Sequence, residues 1–416
     1  MPWRQLTLFI ATIFVLITTE TIGPAILGVS SVRTMRFFFL GLYFIMTGLH
    51  LRKSSGNELM LVMLGFIAML IWSITGGRNN IEANIFMFII PALFSLIYKE
   101  IRLNFAIKLR YLIYVFFIFE CLFAIYEKSI NHAFFPLTED VDLWQNNMTL
   151  IIDESAYGFR STSLFGNPLT NALIVMTIYP FLLFDLKNKW QRLFLSVLTL
   201  MALSCFNARG ATIIFFVVFA INYFYNEIDR RKQSFFYDVI GFAVLFLFIL
   251  VIYSKSSYGG RLFNQNEVFD ASAQTRIEVL PMVLNTDILS FLFGDPYNPL
   301  AYTENGLLDF IFLYGFLFTV VYLIVYSRIL NKYLSNYTIP ERIVIAFSSF
   351  GVSMTNPNFN SYGFILYLLI STHVFSKIKG FEIRKIRQKN KDLSQKNRVY
   401  LKQGNEKSNA TTEFEF

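Results

Sequence analysis

The sequence predicts an all-α polytopic membrane protein with about twelve transmembrane helices and two long loops on the outer face. Three observations predict it. The 416 residues are 55% hydrophobic and 18% aromatic, with a mean hydropathy of +0.50, more apolar than one soluble core sustains. The apolar residues gather into separate runs, and roughly 20 of them in a row cross a bilayer as helix. Basic residues crowd alternate connections between the runs.

The first run, near 6–29, is interrupted by Glu20, Gly23 and Pro24, and no Ala-x-Ala cleavage site follows it. It reads as a retained helix, not a removable signal peptide. Runs near 34–51, 59–74, 84–98 and 109–126 come next, and a first long loop leads to 169–186. Further runs lie near 193–206, 211–226 and 237–253. A second long loop precedes 306–327, 343–355 and 361–376. With a cytoplasmic amino terminus, the inner connections hold Arg52, Lys53, Lys99, Arg102, Lys108, Arg110, Lys187, Lys189 and Arg192, then Arg230, Arg231, Lys232, Arg328, Lys332 and Arg342. Nine of the 36 basic residues fall outside, so both termini are predicted inside. The bundle spans 1–376. Residues 377–416 form a basic cytoplasmic tail, disordered or a frayed helical extension, beside anionic lipid headgroups.

A net charge of +8 placed on such loops and tail argues for membrane lipids as partners and against nucleic acid. Cys121 and Cys205 lie inside apolar runs and read as inert buried thiols. His50, His132 and His373 show no metal-ligand spacing. Asp140-Val141-Asp142 reads as a solvated acidic turn, so neither metal nor cofactor is expected. Glu20, Glu120 and Asp309 fall in the outer halves of their helices, and no charge is fixed at the midplane where a proton-coupled transporter keeps its relay. Snorkelling to, or hydrogen bonding near, the outer interface is the plain reading of Glu20 and Glu120.

Chemistry is therefore expected in the two outer loops, about 127–168 and 254–305. Four features stand out there. Gly158 to Pro168 carries Arg160 ahead of Gly166-Asn167-Pro168. Asn207-Ala208-Arg209-Gly210 makes a tight outer turn. Arg276 lies within the second loop. Glu304-Asn305 opens a helix continuing to Tyr314-Gly315. The planar guanidinium fork donates paired hydrogen bonds to phosphate oxygens and stays charged when partly desolvated, so two or three arginines would neutralise a diphosphate leaving group without a metal. Glu304 is placed to take a proton from an attacking hydroxyl. Its plain alternative is stabilisation of the following helix dipole.

Cys205 to Ala211, Arg276 followed by the Gly294 turn, and Glu304-Asn305 leading to Tyr314-Gly315 resemble the O-antigen ligase and Wzy-type polysaccharide polymerase superfamily. Gly158 to Pro168 resembles the polymerase members. The resemblance covers about residues 155–330; elsewhere it rests on helix count and topology. It implies a metal-independent GT-C-type glycosyltransferase of the bacterial cytoplasmic membrane, acting on undecaprenyl-diphosphate-linked oligosaccharides. Arg209 and Arg276 match positions that engage the diphosphate. Arg160 is carried over from the looser loop match, with Asn167 and Asn305 as supporting residues. The ligases place a histidine where this chain has Glu304, ahead of the same asparagine, and that departure favours a polymerase of O-antigen, capsule or exopolysaccharide. A ligase and a lipid-linked-oligosaccharide flippase or transporter stay open as alternatives. A chain-length regulator is a partner expected from the family alone.

Overall fold

The computed structural model describes residues 56–75, 88, 101–134, 159–228, 281, 285–295, 305–354 and 367–391. These residues are 87% helical and contain no strand, which makes the described part all-α. The expected runs near 6–29, 34–51 and 237–253, nearly all of 84–98, and most of both outer loops lie outside the described residues.

The helices are α1 (Gly56–Thr75), α2 (Leu103–Ile130), α3 (Pro168–Asp185), α4 (Lys189–Phe206), α5 (Arg209–Ile228), α6 (Ile288–Phe293), α7 (Gly306–Tyr314), α8 (Phe316–Tyr333) and α9 (Ile339–Met354). Single 3₁₀ turns cover Ser163–Phe165 and Leu334–Asn336, and α10 covers 367–391. Three stretches, Leu103–Ile130, Pro168–Asp185 and Phe316–Asn336, are long and apolar enough to cross a membrane.

Exposure follows the same logic. Tyr111, Val115, Phe119, Leu122 and Tyr126 make an exposed stripe at helical spacing along α2, and Trp190, Phe194, Val197 and Met201 make another along α4. On α1 the stripe is Leu59, Met63, Phe66 and Leu70. In water, continuous apolar stripes are an association liability; hydrocarbon is the solvent that suits them. Length, composition and exposure together are compatible with a membrane protein.

The opposite pattern marks α3, whose apolar window is 78% buried because α2, α4, α5 and α9 pack around it. Pro180 lies inside it. Proline has no amide proton, so the carbonyl four residues back, that of Met176, loses its helical donor. Ser348 of α9 supplies a replacement, its Oγ donating to Met176 O at 2.5 Å. A second polar tie joins α3 to α4, with Tyr179 Oη 2.8 Å from Ser196 Oγ.

Residues 306–327 read as one run, and the structure divides them. Gly315 sits between α7 and α8 at φ 89°, a region that favours glycine. A Cβ there would lie 2.5 Å from Leu292 O, so the C-terminal end of α6 docks only because no side chain stands in the way. Gly294, at φ 87°, makes the reciprocal approach, and Asp295 N donates to Phe312 O at 2.8 Å. Apolar residues continue on both sides of Gly315, which is why the sequence conceals the break.

Elements predicted to share the cytoplasmic side gather at one end. Arg110 lies 3.7 Å from Asp185, which also accepts from Tyr114 Oη at 2.9 Å. Lys187 meets Glu382 at 3.3 Å, and Lys379 meets Glu341 at 2.6 Å. α10 runs unbroken across residue 376 to 391, with Lys379 seated on Glu341 of α9 and Glu382 facing Lys187 in the connection after α3.

Candidate functional site

At the opposite end, α2 runs to Ile130 and is closed by Asn131 in the left-handed region, φ 50°. Its end was expected near 126, with Glu127 opening the loop. Instead Glu127 is a fully buried helix residue. A buried carboxylate is costly unless hydrogen-bonded, and this one is saturated. Its Oε2 accepts from Ser161 Oγ at 2.7 Å, Thr162 N at 2.9 Å and Ser163 N at 2.7 Å. Its Oε1 accepts from Phe134 N at 3.0 Å. The carboxylate thus shapes the loop that carries Arg160.

The next residue, Lys128, donates to Phe159 O. From the other side, Asn171 of α3 donates to Thr162 O and accepts from Phe165 N at 3.1 Å. Gly166 then turns the chain at φ 66°. Asn167 caps α3, its Oδ1 accepting from Leu169 N at 2.9 Å and Thr170 N at 3.3 Å, while Pro168 occupies the first helical position. Both choices suit a helix start. The Gly166-Asn167-Pro168 triplet is therefore a local capping device.

Arg160 is only 8% exposed. Its Nε donates to Phe206 O at 3.1 Å and its Nη2 reaches Asn207 O at 3.5 Å. Ser161 N adds a bond to Cys205 O at 3.1 Å. These carbonyls belong to the C-terminal turn of α4, where helical donors run out and negative partial charge collects. Arg160 is thereby seated on the turn that leads to Arg209.

That turn is tight. Asn207 closes α4 at φ 51°, and α5 starts at Arg209 with no acidic residue in its first turn. A cation at the positive end of a 20-residue helix opposes the helix dipole by about 0.3 to 1 kcal/mol, but it strengthens the attraction of that end for an anion. The side chain of Asn207 is 4% exposed, and neither its Nδ2 nor its Oδ1 meets a hydrogen-bond partner. Lys128, Arg160 and Arg209 therefore lie on segments that are joined to one another at one end.

Asn305 caps α7, accepting from Leu308 N at 3.3 Å, and Asp309 in the first turn is 2% exposed. Glu120 does not snorkel to an interface. It is fully buried, two turns before Glu127, under the Ser163–Phe165 turn, where Ser163 Oγ donates to its backbone carbonyl at 3.4 Å. Arg276, Glu304, Glu20, His50 and Asp140 to Asp142 lie outside the described residues. Among the described residues no group of three His, Cys, Asp or Glu is placed to hold a metal, and Cys121 and Cys205 are free thiols.

Sequence reasoning missed Glu127, Lys128 and Asn171. A signal for the first was present: Glu120 and Glu127 are seven residues apart, which puts both on one helix face. Compared with family models, with curated proteins and with solved structures, the chain matches none.

Proposed function

We propose that the chain is a GT-C-type membrane glycosyltransferase of about twelve spans. It polymerises a bacterial surface polysaccharide, joining undecaprenyl-diphosphate-linked oligosaccharides at the outer face of the cytoplasmic membrane, with both termini inside. A hydroxyl oxygen of one oligosaccharide attacks the anomeric carbon of another. The bond from that carbon to the diphosphate oxygen breaks, and the undecaprenyl diphosphate leaves with the electron pair. Glu304 takes the hydroxyl proton. Arg209 and Arg276, with Arg160, offset the charge that develops on the leaving diphosphate, and direct displacement inverts the anomeric centre.

One observation carries this reading: Arg160 is buried against the carbonyls of Phe206 and Asn207, at the turn that presents Arg209 on the positive end of α5. Two arginines 49 residues apart in the chain thus belong to one anion-attracting corner.

A second reading, a lipid-linked-oligosaccharide transporter, draws on the break at Gly315. Interrupted helices line the substrate sites of many transporters. A ligase would use the same arginines with a different acceptor.

Lipid-linked glycans from cells lacking the protein separate the three. Single repeat units reachable by an external probe support the polymerase, long chains stranded on the carrier indicate the ligase, and single units trapped inside indicate the transporter. In complemented cells, Arg209→Ala and Arg276→Ala should abolish polymer without affecting membrane insertion. Unchanged ladders from both variants would remove the arginine assignment.

A further inference from the structure

We infer that a cavity at the other end of the bundle, between the Leu334–Asn336 turn and α10, binds the phosphate of an anionic phospholipid headgroup. The cavity measures about 510 Å³ and is lined by Asn336, Thr338, Gly380, Ile383, Arg384 and Arg387. It is a groove open at the surface, with room for a headgroup phosphate. The inference goes beyond the proposed reaction and shares with it only the placement of this end at the cytoplasmic leaflet.

The walls are fixed by contacts that leave the two arginines available. Asn336 Nδ2 donates to Ser376 O at 3.1 Å, and its amide sits against Gly380, where a Cβ would lie 2.6 Å from that nitrogen. Arg342 is spent on the backbone, with Nε donating to Tyr337 O at 2.9 Å and Nη2 to Ser335 O at 3.1 Å. The nearby acids are engaged as well. Glu341 accepts from Lys379 at 2.6 Å and from Thr338 N at 2.8 Å, and Glu382 is paired with Lys187. Arg384 and Arg387 are three residues apart on one face of α10 and exposed. Arg384 Nε donates to Gly380 O at 3.1 Å within its own helix. No carboxylate among the described residues pairs with either guanidinium.

The guanidinium of Arg387 and the terminal Nη groups of Arg384, whose Nε is held by Gly380 O, suit the oxygens of a phosphate. Two sources could bring that chemistry here, a lipid headgroup or free phosphate, and position favours the lipid. The apolar stretch Phe316–Asn336 ends at the cavity, which is where headgroups lie. Exposed Ile339 and Phe381 flank it, giving acyl chains an apolar surface that free phosphate would not need.

The test uses the purified full-length protein in neutral detergent, with retention of added phosphatidylglycerol or phosphatidylcholine read by native mass spectrometry. Phosphatidylglycerol should be retained in preference, and millimolar inorganic phosphate should fail to displace it. The double variant Arg384→Gln/Arg387→Gln should weaken retention by roughly tenfold or more. Lys385→Gln/Lys389→Gln, which removes the same charge from residues that do not line the cavity, should leave retention near wild type. Melting temperatures of both variants, altered only at exposed side chains, check that the fold is kept. Equal loss in the two double variants would mean diffuse attraction to a basic helix and would overturn the site. Equal retention of the two lipids would overturn it too, and displacement by inorganic phosphate would overturn the lipid source. Retention is read without any glycan, so this inference and the polymerase reading fail separately.

Discussion

The hydroxyl of Ser348 donates to the carbonyl of Met176, 172 residues earlier in the chain, at the position that Pro180 deprives of an amide donor. Away from water an unpaired carbonyl is costly, so the proline in α3 is tolerated through a side chain on α9. Ser348→Ala should lower unfolding stability by about 0.5 to 1.5 kcal/mol. In a Pro180→Ala background, where an amide again faces Met176 O, the same substitution should cost less. A double-mutant cycle on detergent-solubilised protein checks this, and identical costs in both backgrounds would break the link.

Glu127 holds the loop bearing Arg160 through Ser161 Oγ and the amides of Thr162 and Ser163. Glu127→Ala leaves the amides of Thr162 and Ser163 without their acceptor in a buried place, at a cost of about 3 kcal/mol. Glu127→Gln keeps one acceptor oxygen and should be milder. Hydrogen exchange across residues 159–166 should accelerate strongly in the first variant and less in the second. Unaltered protection in Glu127→Ala would mean that Asn171 alone orders the loop.

Gly315→Ala places a methyl group 2.5 Å from Leu292 O on a backbone that disfavours any side chain. The expected cost is about 2 kcal/mol or more, with α6 undocked from the α7–α8 junction. Limited proteolysis near residue 293 reports the undocking, and a cleavage pattern like that of wild type would contradict the packing described.

Asn207 occupies the left-handed region at φ 51° with an unpartnered side chain. Asn207→Gly should therefore be tolerated within a few tenths of a kcal/mol, whereas Asn207→Ala should cost about 1 kcal/mol from backbone strain alone. Thermal melts of the two variants decide the point. If glycine proves the worse of the two, the asparagine side chain stabilises the turn in another way.

Arg160 and Arg209 should separate stability from activity. Arg160→Ala removes a buried guanidinium from the C-terminal carbonyls of α4, at a cost of about 2 kcal/mol. Arg209→Ala removes a cation from the first turn of α5, and polymer should disappear while the protein still folds and inserts. A large loss of stability in Arg209→Ala would make that arginine a folding residue.

The parts of the fold legible in the sequence were those that local chemistry decides. The run near 169–186 became α3 with little change, capped by Asn167, and the run near 193–206 became α4 with one polar turn, 189–192, added in front by the cap at Asn188. The seat of Arg160 was half legible: its segment and the Arg209 turn were both singled out, but nothing in the chain states that one lies on the other. Glu127 was misplaced as a loop residue because its partners lie 34 to 36 positions later.

By itself, the sequence determined a helical chain too apolar for water, since hydropathy and helix caps act within a few residues. Tertiary structure alone decided that Gly315 breaks a helix, that Glu127 turns inward, and that the start of the tail is seated against α9. Each of these depends on a partner far along the chain: the end of α6 against Gly315, the Ser161 to Ser163 donors around Glu127, and Glu341 beside Lys379. A polar group buried in a low-dielectric interior takes whatever partner packing brings to it, and that partner is fixed only when the helices have met.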